Sequence, residues 1–188
     1  MNRQFLLLLC VAVSTLSIGT LPLPLGVRIA EGAQQQVGVT LIYDPAYVSL
    51  RYPGGDVPAS RGVCADVVVR AFRVAGIDLQ RAVHEDMLHA FKRYPAMWGL
   101  SRPDANIDHR RVPNLMKFFE RNGKIASGDF LPGDVVAWRL PGGLYHIGVV
   151  SAEVASPSQH PLMIHNIGSG AQKEDVLFAY QIIGHYRW

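Results

Sequence analysis

The stretch Leu131-Pro132-Gly133-Asp134-Val135-Val136-Ala137-Trp138-Arg139-Leu140-Pro141-Gly142-Gly143-Leu144-Tyr145-His146-Ile147-Gly148-Val149-Val150-Ser151 sets the architecture of the C-terminal half. Pro132-Gly133-Asp134 is a turn signal, and Val135 to Leu140 is a β-branched and aromatic run that predicts a strand. Pro141-Gly142-Gly143 breaks the chain again before His146 to Ser151, so the pair reads as a hairpin. Further on, Ala155 to Pro161 reads as an exposed loop, with Leu162 to Ile167 the next strand and Gln181 to Tyr186 the last.

Upstream of this meander the periodicity changes. Val67, Val68, Ala71, Phe72 and Ala75 recur at helical spacing from Cys64, and Gly76 supplies a stop. Asp78 suits an N-cap for a second helix reaching Tyr94, where Pro95 ends it, and Pro113 opens a third that Gly123 closes. Helices followed by short strands predict an α+β fold with segregated layers.

The chain has 188 residues and a formal net charge of +3, which suits one domain with a core that needs no disulfide staple. Its basic residues are scattered, so no nucleic-acid partner is expected. At the N-terminus, Arg3 precedes a mostly apolar run from Phe5 to Ile18, short of the ~20 residues of a bilayer span. Residues 1–33 read as a secretory leader ending near Ser17-Ile18-Gly19 or Glu31-Gly32-Ala33, with one mature domain over 34–188. The expected localisation is exported, periplasmic rather than extracellular, without a membrane span after cleavage. Such cleavage removes Cys10 and leaves Cys64 as the single thiol.

Cys64 opens a helix, His146 opens a strand, and His165 and Asn166 lie in the strand after it. Free N–H groups at a helix start and a nearby imidazole both favour a thiolate. The same N–H groups can hold an oxyanion, and the imidazole can protonate a leaving amine. Against this stands the fact that a free Cys is among the most buried residue types, often a small core group.

Tyr52-Pro53-Gly54-Gly55, Gly62-Val63-Cys64-Ala65-Asp66, Pro132-Gly133-Asp134-Val135-Val136, His146-Ile147-Gly148-Val149-Val150 and Met163-Ile164-His165 together resemble, in order, the motifs of NlpC-type cell-wall cysteine peptidases. The phrases Tyr-Pro-Gly-Gly-Asp-Val-Pro, Asn-Ile-Asp-His-Arg-Arg-Val-Pro-Asn and Ile-His-Asn-Ile-Gly resemble an exported bacterial group of unknown function within that superfamily. The resemblance implies a papain-like fold and hydrolysis of an amide bond in peptidoglycan stem peptides, without metal or cofactor. By position it makes Cys64 the nucleophile, His146 the base and His165 the orienting group, with Asn166 the alternative, and it sets Tyr52 near the substrate carbonyl. The sequence departs from the family pattern at Ala65-Asp66, which stand where the family has Ser-Gly.

Asp66, His109, Arg110 and Arg111 are further candidates for substrate binding, since Arg suits bidentate contact with carboxylates. Asp66 and Arg70 also stand at ion-pair spacing on a helix. His84 and His89 do not make a zinc pair, because five residues separate them by about 140° around a helix. A monomer is expected. Two other readings stay open: a non-catalytic wall-binding module with Cys64 merely packed, and an acyltransferase using the same Cys-His pair.

Overall fold

The computed structural model describes residues 22–188. Three helices follow the expected punctuation. Helix α2 (Cys64–Val74) buries Val67, Val68, Ala71 and Phe72 and stops at Gly76, whose φ of +89° lets the Ile77 N–H reach back to the Phe72 carbonyl at 2.9 Å. Asp78 caps α3 (Leu79–Ala90) by accepting from the Gln80 and Arg81 N–H groups. Helix α3 ends sooner than its periodicity suggests: Phe91–Arg93 tighten into one 3-10 turn, because Pro95 drives Tyr94 to extended backbone. Helix α4 (Val112–Arg121) carries Pro113 in its first turn.

A fourth helix, α1 (Leu25–Gln34), occupies the segment read as the end of a leader. It buries Ile29, Ala30 and Ala33, and it crosses α2 at Gly32, where a Cβ would come 2.7 Å from the Ala71 carbonyl oxygen. Only glycine lets the two backbones approach so closely. The expected boundary at residue 33 falls within this packed helix. The other expected junction, Ser17-Ile18-Gly19, lies outside the described residues.

The sheet contains β3 (Val135–Arg139), β4 (Tyr145–Val154), β5 (Pro161–His165), β6 (Gln172–Glu174) and β7 (Gln181–Tyr186). Its order is β6-β5-β4-β3-β7, and every neighbouring pair is antiparallel. A separate short parallel pair joins β1 (Ile42–Tyr43) to β2 (Arg61–Gly62). Strand β6 has no apolar alternation to announce it, as befits a polar edge strand. Helices packed on an antiparallel sheet make this an α+β fold.

Side-chain alternation divides the core. Val135, Ala137, Ile147, Val149 and Ile164 join the cluster that holds the helices, while Val136, Trp138, Val150 and Met163 pack with Leu177 on the reverse face. The Pro132-Gly133-Asp134 turn ties the ends together. Asp134 is buried and accepts from Arg187 and His185 at 2.7 Å. Burial alone would raise its carboxyl, but the hydrogen bonds from Arg187, the Leu131 N–H and His185 outweigh it and hold it below the ordinary range.

Candidate active site

Strand β5 leaves β4 after the Gly148–His165 pair. The adjoining edge of β4 is met by the entry to α2, tethered there because Asn166 Nδ2 donates to the Gly62 carbonyl at 3.0 Å. Cys64 follows two residues later at the first position of α2, 5% exposed. The N–H groups of Ile147, Ala65 and Cys64 itself face the sulfur, but loss of water dominates and pushes the thiol up to about 12. The expectation of a lowered thiol pKa is thereby corrected. At neutral pH the resting thiol is protonated.

His146 precedes Ile147 on β4, so its side chain leaves the strand on the face opposite the thiol, beside Trp138. The imidazole makes its hydrogen bond elsewhere: His146 Nε2 is 2.8 Å from His165 Nδ1. Gly148, directly opposite His165 in the register, leaves room for this approach, since a Cβ there would meet His165 Cβ at 3.0 Å. Trp138 stacks on His146 with ring centroids 5.6 Å apart. Burial, then the neighbouring His165, lowers His146 to about 3. Burial also lowers His165, opposed by Glu174, whose Oε2 lies 3.0 Å from His165 Nε2. That contact is short but too bent to count as a well-formed hydrogen bond. Two hydrogen-bonded imidazoles in so dry a place hold at most one proton charge between them.

Beside Cys64 opens a cleft of about 310 Å³ lined by Tyr43, Trp98, Arg110, Arg111, Val112 and Tyr145, among others. The Arg111 guanidinium stacks 4.1 Å from the centre of the Trp98 ring, and Arg139 lies 3.7 Å from that of Tyr145. The charged groups lining the cleft itself are arginines, which favours an anionic or carboxylate-bearing ligand.

A profile described as a domain of unknown function (DUF1287) matches residues 30–188. The chain belongs to the DUF1287 family. It is similar to the uncharacterized protein YijF of Escherichia coli (strain K12), with 59% identity over 165 residues, covering 85% of this chain and 80% of that protein. No solved structure matches it.

Within this DUF1287 domain the expected site residues part company. Cys64 packs on the helix-facing side at the start of β4, whereas the His146–His165 pair lies on the reverse side of the same strand, and the thiol makes no hydrogen bond with either ring. Asn166 does not meet His146; it holds Gly62 and caps the Gly168 N–H instead. Tyr52 is 41% exposed and rests edge-on against His84 of α3, so it is not among the cleft-lining residues. Tyr43 lines the cleft instead, close enough for Cys64 and Asp66 to act on its hydroxyl, which burial first of all raises. Position in the chain could not separate two tyrosines nine residues apart; the β1–β2 pairing does.

Asp66 and Arg110 are spent on each other. Arg110 donates to both Asp66 oxygens at 2.8 and 3.0 Å and to the carbonyls of Asp44 and Ala46. Asp66 also accepts the Val63 N–H at 2.7 Å, which fixes the turn into Cys64. Arg70, the expected partner of Asp66, pairs with Asp56 instead. His109 is buried, and burial lowers it to about 4. It does not line the cleft, whereas Arg111 does, with one bond to Asp108 at 3.2 Å. Trp98, Tyr145 and Glu174 are not among the site residues expected from the sequence. Among the described residues no cluster of three or more His, Cys, Asp or Glu is placed to hold a metal, and no helix is long and apolar enough to cross a membrane.

Proposed function

We propose that this DUF1287 chain is an exported, periplasmic cysteine hydrolase of papain-like arrangement, acting on an amide bond in peptidoglycan stem peptides. The observation that carries the reading is the helix N-terminus that presents Cys64 to an arginine-lined cleft, with the His146–His165 hydrogen bond at 2.8 Å across the start of the same strand, β4. In this reading the thiol proton passes to His146 as sulfur attacks the carbonyl carbon, because neutral resting groups leave no preformed ion pair. N–H groups around the sulfur receive the oxyanion. His146 then returns the proton to the leaving amine, and water hydrolyses the thioester with His146 as base. Carboxylates of the stem peptide suit Arg111.

The test is digestion of purified muropeptides by the mature chain, with products identified by mass, beside alkylation of Cys64 across pH. The wild type should release a new amine. Cys64→Ala should abolish cleavage, and His146→Ala should slow both cleavage and labelling by about 10²–10⁴-fold. A second reading, a non-catalytic wall-binding module, draws on the deep burial of the thiol. No cleavage, with no labelling until denaturation, would leave that module standing and remove the hydrolase.

A further inference from the structure

His165 has two ring nitrogens and two very different neighbours. Nδ1 meets His146 at 2.8 Å, and Nε2 has the Glu174 Oε2 carboxylate oxygen 3.0 Å away in a bent contact. The register makes this reach natural. Gln172 stands opposite His165 and Glu174 opposite Met163, so Glu174 shares a face with His165 on the diagonal. The residue between them turns away, since Lys173 pairs with Glu153 at 2.6 Å. Glu174 makes no other ion pair or side-chain hydrogen bond among the described residues.

We propose that Glu174 is a positioning residue that selects the tautomer of His165 and, through it, that of His146. The proposal rests on the hydrolase reading for its use but not for its detection. A carboxylate accepts and does not donate, so it favours the proton of His165 on Nε2. His165 Nδ1 is then an acceptor, and His146 must donate to it from Nε2. The lone pair of His146 is left on Nδ1, the only state in which that ring can take a proton from a thiol. The opposite tautomer of His165 would put a proton on His146 Nδ1 and silence it. Glu174 is itself partly exposed and belongs to an edge strand, so this control sits on the surface side of an otherwise buried relay.

The experiment is ¹⁵N NMR of the mature chain labelled at histidine, at neutral pH, with His146 and His165 assigned by single His→Gln variants. Wild type should show protonated Nε2 and bare Nδ1 on both rings. Glu174→Ala should move His165 toward the Nδ1–H form and slow His146-dependent labelling of Cys64 about tenfold, a part of the ~10²–10⁴-fold that a positioned acid–base group contributes. Glu174→Gln keeps an acceptor oxygen and should restore the wild-type pattern. A wild-type His165 protonated on Nδ1, or a pattern unchanged in Glu174→Ala, overturns the assignment. The spectrum needs no substrate. Failure to cleave muropeptides with a Glu174-dependent tautomer sinks the hydrolase alone, and cleavage with a Glu174-independent tautomer sinks only this proposal.

Discussion

Toward the helices, β3, β4 and β5 present Val135, Ala137, Ile147, Val149 and Ile164; on their reverse face the same strands carry Trp138, His146 and His165 among Val136, Val150 and Met163. Polar groups are buried on both sides, yet they are treated differently. On the helix side Asp66 meets Arg110 with two short bonds and two backbone carbonyls complete the guanidinium. On the reverse side, two imidazoles meet each other and a tryptophan face. A buried ion pair is a structural commitment, since neither partner can leave without stranding a charge. Two neutral rings store no such penalty, though burial makes either slow to take up a proton. In the proposed reading the base lies among the neutral groups of the reverse face, and the Asp66–Arg110 pair holds in place the helix that carries Cys64 on the other.

The largest expected effect breaks the helix side. Arg110→Ala leaves the Asp66 carboxylate buried and alone, and should cost about 3–5 kcal/mol in denaturant unfolding. A loss below 1 kcal/mol would mean that water replaces the guanidinium and that the two faces differ less than their geometry indicates.

Acid should act on both faces through their histidines. His109, packed on the helix side, and His146 both fold with pKa values below the ordinary 6.5 because burial disfavours the cation. The unfolded chain therefore binds protons first as the pH drops. Stability should be full above about 6.5 and decline below it, until the folded values near 4 and near 3 are reached. The His109 share is about 3 kcal/mol for a shift of this size. Urea midpoints of His109→Gln against pH should lose the slope between about 6.5 and 4 that His109 causes and keep that of His146. Parallel curves for variant and wild type would contradict a neutral buried His109.

The smallest effect sharpens the location of the cleft. Tyr52→Phe alters an exposed ring that rests against His84 of α3 and should leave the melting profile within about 0.5 kcal/mol of wild type, with Cys64 labelling unchanged. Tyr43→Phe should alter that labelling. The reverse result would return the substrate-side hydroxyl to Tyr52.

The three helices and the hairpin were legible because their signals are local. Asp78 and Gly76 act within one turn, and the apolar runs of β3 and β4 between turn residues need no partner to be recognised. Helix α1 was missed for an equally physical reason. An apolar stretch following the leader-like run reads as part of it until Gly32 is seen against Ala71. Strand β6 has no pattern of its own and exists through pairing with β5.

Residue types and spacing by themselves determined that Cys64 begins a helix and that His146 and His165 lie on successive strands, since capping and alternation are properties of adjacent residues. Tertiary structure alone decided the rest. It chose Tyr43 over Tyr52, bound Asp66 to Arg110 rather than Arg70, gave His165 rather than Asn166 to His146, and brought up Glu174. Each of those choices depends on which of several compatible partners arrives across tens of residues of chain. The same packing excludes water from the thiol and the imidazoles, and that exclusion sets their charge.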